Sequence, residues 1–316
     1  MTTIEMKKLS SNNIVSPKGF TAAGVHCGIK KNKSDKKDLA ILVSEVPASV
    51  AGVFTTNAVQ AAPLKVTKEV VYNSQKMQAI IVNSGNANAC TGKQGIADAY
   101  EMQALAATKL GIESYLVGVA STGVIGEIMN MEPVVKGVEM LNPNNDLESG
   151  MNFAQAILTT DTVMKNTTYA TVIDGKEVLV SGTAKGSGMI EPNMATMLGF
   201  ITTDANIESD ELQKALSEIT NLTFNAITVD GDTSTNDTVV VLANGLAGNE
   251  PLTPAHPEWN NFYTALRLVA EDLAKAIARD GEGATKLIEV EVDGAISDEE
   301  ARKIAKTVVG SPLVKT

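Results

Sequence analysis

Two cysteines and two histidines in 316 residues leave little material for most hydrolytic, redox or metal-assisted chemistry. Cys27 and Cys90 cannot make a disulfide framework, so a reducing cytoplasm is the expected compartment, and Cys90 reads as a small buried residue. A Ser-His-Asp triad would have to recruit His26 or His256, and no GxSxG elbow is present. His26 and Cys27 are adjacent, but no second pair stands at ligand spacing, so no metal is expected. The segment 230–237 begins like a calcium loop, yet Thr235 stands where its glycine belongs and Val241 where its glutamate belongs. It reads instead as a turn whose Asp and Asn side chains satisfy one another. Aromatic residues make up only 4%, and the net charge is −11. Stacked bases, a phosphate backbone and an anionic membrane surface are therefore poor partners. No apolar run approaches the ~18 residues of a membrane span. The opening MTTIEMKKLSSNN has no apolar core, so no signal peptide is expected. Nucleotide loops are missing too. Gly186-Ser-Gly188 is followed by Glu191 where a third glycine is wanted, and no GxxxxGK[ST] occurs. Residues 281–286 (GEGATK) follow a helix and precede a strand, the reverse of a phosphate loop.

What remains is a globular composition, 44% hydrophobic and 20% charged, in a chain long enough for one large or two ordinary domains. Residues 1–18 read as an extended lead-in and 30–37 as a solvated basic loop. Strands are expected at 39–43, 50–55, 78–83, 114–120, 197–201, 223–229, 238–243 and 286–292. A hairpin over 169–173 and 177–181 turns on Asp174-Gly175, a type I′ signal. Helices are expected at 96–110, stopped by Gly111, and around 132–141 and 147–158. Two more run over 209–221 and 257–279, and Ser297 with Glu300 makes a capping box for a last one. Loops follow the strands at 83–90 and 121–126. Hairpins mixed with helices argue an α+β fold.

The chain is organised around 182–205. Gly182, Gly186 and Gly188 lead through Pro192 to Ala195-Thr196, and an apolar strand follows at once. Pro192 and the residue before it cannot lie inside a helix, so Thr196 enters a core strand from a tight loop. A threonine hydroxyl needs a base, and an N-terminal threonine carries one in its α-amine. Attack of Thr196 Oγ on the Ala195 carbonyl, with hydrolysis of the resulting ester, would create that terminus. A plain hairpin entry accounts for the same residues without chemistry.

The run KGSGMIEPNMATML (185–198) resembles, almost letter for letter, the self-cleavage segment of the ornithine acetyltransferase family, the bifunctional glutamate N-acetyltransferases of the cyclic arginine pathway. The resemblance extends from Phe20-Thr-Ala-Ala-Gly-Val25 to the end of the chain. It implies autocatalytic cleavage between Ala195 and Thr196. The products would be an α-chain, 1–195, and a β-chain, 196–316, that begins at the nucleophile. It implies an oxyanion hole at Thr122 and Gly123, and substrate contacts at Thr159, Lys185, Thr196 and Glu282. Without it, Thr122 and Gly123 are a strand-to-helix turn, Thr159 a helix-end hydroxyl, Lys185 a solvated lysine and Glu282 a helix-end acid. The implied fold is a layered α/β/β/α sandwich with intertwined chains, two of each, as an α2β2 heterotetramer. The implied reaction is ping-pong transfer of acetyl from N-acetylornithine to glutamate through acetyl-Thr196, with no cofactor. Some family members also take acetyl-CoA as donor, and these residues do not decide between the types.

The family continues for roughly another quarter of its length, with further substrate contacts. The sequence is therefore expected to be truncated at its C-terminus. Two other readings stay open on the residues: an N-terminal-nucleophile peptidase or amidase, and a non-catalytic fragment.

Overall fold

The computed structural model describes residues 6–31, 35–189 and 197–316. The strands are β1 (Met6–Lys8), β2 (Phe20–Val25), β3 (Leu39–Phe54), β4 (Lys76–Asn86), β5 (Val117–Val124), β6 (Lys165–Ile173), β7 (Lys176–Lys185), β8 (Leu198–Thr203) and β9 (Thr238–Ala243). The helices are α1 (Ala62–Glu69), α2 (Gly92–Leu110), α3 (Met131–Met140), α4 (Leu147–Ala156), α5 (Ser209–Leu222), α6 (Trp259–Arg279), α7 (Asp298–Val309) and α8 (Pro312–Lys315).

The strands hydrogen-bond in the order β1-β6-β7-β8-β9-β3-β4-β5, with β2 also on β3. Two neighbouring pairs, β4 with β5 and β8 with β9, are parallel, and the others are antiparallel. The two strands expected at 39–43 and 50–55 are one long strand, β3. Its register against β4 shifts between Val43 and Ala48, a bulge that bends the strand. Before the bulge β3 pairs with β2, and after it with β9.

That bend produces the layers. Leu39 and Ile41, before the bulge, pack outward with residues of α2 and α3, among them Met102, Ala106 and Val134. Ala51, after the bulge, packs outward with residues of α5 and α6, such as Leu216 and Val269. Ala40, Leu42 and Val50 join a middle layer with Ile80, Phe153, Phe200 and Val240. Side chains alternate accordingly: Val239 and Val241 face the helices, while Val240 and Leu242 face the middle. The result is the expected α+β layering, with helices outside and strand surfaces packed within. Its two sheets are joined through β3 rather than separate.

Local signals hold where they rest on short-range chemistry. Asp174 and Gly175 both have positive φ, at 52° and 70°, as a type I′ turn requires. Gly111 ends α2 in the left-handed region, its N–H bonded to Ala107 O. Ser297 accepts from Glu300 N–H at the start of α7. Expectations that needed a sheet partner fare worse. Residues 223–229 are not a strand: a 3-10 turn spans Phe224–Ala226. Both edges of β9 are already taken by β8 and β3. Residues 286–292 alternate like a strand but form no strand among the described residues. Residues 121–124, expected as a loop, extend β5. Cys90 is exposed rather than buried. Lys30, at the head of the expected solvated run, is buried and donates to Lys37 O. Among the described residues, no helix is long and apolar enough to cross a membrane.

Candidate active site

The parallel pairing of β5 with β4 sets Ser121, Thr122 and Gly123 beside Asn83, Ser84 and Gly85. Thr122 is buried at this strand end. Gly123 has φ +136°, and a Cβ there would lie 2.3 Å from the Gly85 carbonyl carbon and 2.5 Å from Asn86 N. Only glycine fits that approach. The loop before β9 clamps the same turn. Asn236 Nδ2 donates to Ser121 O at 2.8 Å and to Ala87 O at 2.7 Å.

Lys185 ends β7 and is not solvated: its relative exposure is 2%. Its Nζ donates to Thr122 Oγ1 at 3.3 Å and lies 4.0 Å from Asp161 Oδ2. Burial pulls the ammonium below its ordinary range, and Asp161 is the main opposing charge. Asp161 accepts from Lys165 Nζ and Gly186 N–H, both at 2.7 Å, and from Thr159 N–H at 3.1 Å. Burial works to raise its carboxyl, but Lys185 and Lys165 outweigh burial and hold it below the usual carboxylate range. Lys165 reaches on to Asp280 Oδ2 at 2.6 Å, and Asp280 also accepts from Thr162. A buried chain of alternating charge therefore runs from Asp280 through Lys165 and Asp161 to Lys185, ending at the Thr122 hydroxyl.

The same chain locates Glu282. Ser187 Oγ donates to Asp280 O, and Glu282 N–H donates to Ser187 O. The Glu282 carboxyl lies against Gly188, where a Cβ would come within 2.5 Å of its Cδ. Thr122, Gly123, Lys185, Thr159 and Glu282 are thus brought to one place. Thr159 joins through its backbone N–H, and its side chain is half-buried. Ala195 and Thr196 lie outside the described residues. The chain resumes at Met197, whose N–H donates to Asp237 Oδ1 at 3.0 Å.

Asp161, Lys165, Asp280, Asn236 and Asp237 were not singled out from the sequence. Asp161 stands two residues after Thr159, but a single acid in a loop signals nothing until its two lysines are known. The self-satisfied turn read from 230–237 takes in Asp237. The turn does have such bonds, as between Asp232 N–H and Asp230 and between Asn236 N–H and Ser234 Oγ. Asp237 itself turns inward and is fully buried.

Among the described residues, one cluster offers metal-type ligands: Asp174, His256 and Glu258 at the β6–β7 hairpin. Its groups are spent on each other and on the turn. His256 Nε2 stands 3.3 Å from Asp174 Oδ1, and Glu258 accepts from Asp174 N–H. A surface cleft lined by Asn12, Ser16, Lys18, Glu45 and Asn145 shares no residue with the charge chain.

The sequence profile of the ArgJ family matches residues 21–316. This chain belongs to the ArgJ family. The curated arginine biosynthesis bifunctional protein ArgJ of Halalkalibacterium halodurans is 60% identical over 314 residues, covering 99% of this chain and 76% of that protein. Among solved structures, the ArgJ crystal structure from Bacillus halodurans aligns with a TM-score of 0.57 and 50% identity. It covers 60% of this chain and 98% of that one. The ornithine acetyltransferase from Mycobacterium tuberculosis, solved with ornithine, aligns at 0.54 with 34% identity and the same coverage. An aminopeptidase from Ochrobactrum anthropi described as a variant of the Ntn hydrolase fold aligns at 0.53 with 7% identity and shares the fold alone. As an ArgJ family member, the chain is an acetyltransferase of arginine biosynthesis.

Proposed function

We propose that this enzyme cuts itself between Ala195 and Thr196 and then moves acetyl from N2-acetylornithine to glutamate through acetyl-Thr196. The observation that carries the reading is the meeting of three strand ends. Thr122 and Gly123 end β5, Lys185 ends β7 within 3.3 Å of Thr122, and the chain re-enters at Met197 immediately before β8. Lys185 donates to the Thr122 oxygen, which leaves the Thr122 O–H to point elsewhere and polarises it. With the Gly123 N–H, it makes a pair of donors for an oxyanion.

In the reaction, the α-amine of Thr196 takes the hydroxyl proton as Oγ attacks the acetyl carbonyl. The tetrahedral oxyanion is held by Thr122 and Gly123. The C–N bond breaks, the proton passes to the departing amine, and ornithine leaves an acetyl ester on Thr196. The glutamate amine attacks that ester, and the Thr196 hydroxyl is restored. Lys185 and Glu282 contact substrate: Lys185 takes the α-carboxylate common to both, and Glu282 takes the ornithine side-chain ammonium. Thr159 lines the same site. The reaction needs no cofactor, and the cut chains work as an α2β2 assembly in the cytoplasm.

The test is mass analysis of the mature enzyme after brief exposure to N-acetylornithine without glutamate. The reading expects a peptide that begins at Thr196 and carries one acetyl group, discharged on adding glutamate. An uncut chain, or an acetyl group on another residue, rejects it. Discharge by water as fast as by glutamate would mark a hydrolase instead.

A further inference from the structure

Asp161 and Lys185 face each other, both buried, at a distance too long for a hydrogen bond. Lys185 Nζ stands 4.0 Å from Asp161 Oδ2 but 3.3 Å from Thr122 Oγ1. An unrestrained carboxylate would close on such an ammonium to about 2.7–2.9 Å. Asp161 is restrained. Its Oδ1 accepts from Lys165 Nζ and Gly186 N–H, both at 2.7 Å, and its Oδ2 accepts from Thr159 N–H at 3.1 Å. Lys165 is held in turn by Asp280 Oδ2 at 2.6 Å. The carboxylate therefore lends its charge to Lys185 while its short bonds go elsewhere. That charge governs the direction of a hydrogen bond. An ammonium has three hydrogens and no lone pair, so it can only donate. Facing it, Thr122 Oγ1 must accept, and the hydroxyl's own hydrogen points away. A neutral lysine amine has a lone pair and could take that hydrogen, turning the hydroxyl round. Burial pulls Lys185 toward the neutral form, and Asp161 is the largest opposing influence. Asp237 and Glu282 give smaller support, and Lys165 works against it. Among the described residues these are the charged groups that bear on the ammonium.

We propose that Asp161 is a positioning residue for acetyl transfer: from its fixed stand-off it keeps Lys185 an ammonium aimed at Thr122, and so keeps the Thr122 hydroxyl free to donate to the oxyanion. The proposal rests on the reading of Thr122 as an oxyanion donor. Lys165 has a share in it. By occupying Oδ1 it stops Asp161 from closing on Lys185 and drawing the ammonium off Thr122. The two neighbours of Lys185 therefore act in opposite senses. Loss of the Asp161 charge makes the ammonium easier to deprotonate. Loss of Lys165 removes a like charge and releases Asp161 toward Lys185, which makes the ammonium harder to deprotonate.

Turnover of full-length Thr122→Ala is measured first. Undiminished turnover rejects the oxyanion reading itself, whatever Asp161 does. Asp161 is then tested in the uncut Thr196→Ala chain by NMR of ε-13C-labelled lysines, with the Lys185 signal assigned by its loss in Lys185→Met. The pH midpoint of that signal should fall by about one pH unit or more in Asp161→Asn and rise in Lys165→Met. In the active enzyme, Asp161→Asn should bring the alkaline limb of the deacetylation half-reaction down with the midpoint. A merely structural role would scale the rate at every pH, and an unmoved midpoint in Asp161→Asn overturns the proposal. The rate effect of Asp161→Asn should also shrink when Thr122 is already alanine, because the hydroxyl it orients is gone. An equal effect in both backgrounds overturns the link to Thr122, and the proposal with it. If Asp161→Asn does not fold, the Lys165→Met midpoint decides: a rise supports the proposal, and a fall or no change overturns it. Failure of both to fold would show that the row of charges serves the fold alone, which also overturns it.

Discussion

Two sets of ion pairs in this chain use the same chemical groups to opposite ends. On the outer face of α6, Arg267, Glu271 and Lys275 form i,i+4 pairs, and Lys275 reaches on to Glu289. These side chains are between 35% and 61% exposed. Below the C-terminal end of the same helix, Asp280, Lys165, Asp161 and Lys185 alternate in sign, with side chains 5% exposed or less. On the surface, water and salt screen each pair, and the typical exposed pair is worth ~0–1 kcal/mol. Inside, each ion has lost its water and is tolerable only because its neighbours replace it. The outer set decorates a helix. The inner set fixes the position of four groups to within a hydrogen bond, which is what a site for a reaction needs.

The largest expected effect breaks the inner chain at its middle. Lys165→Met leaves Asp280 without its buried cation and Asp161 with only the more distant Lys185, and removal of one partner from a buried set costs ~3–5 kcal/mol. Urea unfolding of the uncut Thr196→Ala chain, with and without Lys165→Met, measures it. A loss below that of a surface pair would mean that water already reaches the site.

Next comes the end of the chain that meets substrate. Lys185→Met removes a charge-assisted contact worth ~1.5–3 kcal/mol, so both half-reactions should slow tenfold or more. If acylation of glutamate is spared, Lys185 does not hold the carboxylate shared by the two substrates.

Acid should then separate the two sets. Asp161 and Asp280 are both held below the ordinary value of 3.8, despite burial, by Lys165 and their other partners. Their stabilisation is complete above 3.8 and is lost as pH falls through their lower folded values, because the unfolded chain takes up protons first. Asp237 is raised and runs the other way, favouring the fold as pH drops toward 3.8. Stability of the uncut chain below pH 4 should therefore fall less steeply in Asp161→Asn than in the parent. Added salt should scarcely alter that limb, since buried pairs are poorly screened.

The smallest expected effect calibrates the rest. Lys275→Met, which breaks two surface pairs, should change stability by less than about 0.5 kcal/mol.

The contrast between the sets also marks what could be read from the letters. Asp174-Gly175, Gly111 and Ser297 act through bonds within a few residues, so their turn, stop and cap were legible. The self-cleavage run made Lys185, Thr122, Gly123, Thr159 and Glu282 candidates by resemblance, and the fold does gather them. Taken alone, Lys185 read as a solvated lysine, because burial belongs to the partners a residue meets and not to the residue. Asp161, Lys165 and Asp280 are far apart along the chain, and nothing in their spacing says that they form a row. Residues 286–292 have the alternation of a strand, but a strand also needs an open edge. The bulge in β3 left no signal beyond Pro47, so one bent strand looked like two.

The order of the strands carries a further consequence for the life of the molecule. β8 and β9 follow Thr196 in the chain, yet they lie between β7 and β3, which precede it. Six residue pairs tie β7 to β8, and six more tie β9 to β3. A cut before Thr196 would therefore leave the two products interleaved, each completing the other's sheet. Assembly before the cut is the folding of one chain. After it, any return from the unfolded state is an encounter of two, and carries an association cost of ~4–15 kcal/mol that the precursor never faced. Such an enzyme would be made once. Its lifetime would be governed by how slowly it comes apart, and its recovery after denaturation would depend on protein concentration in a way that the precursor's does not.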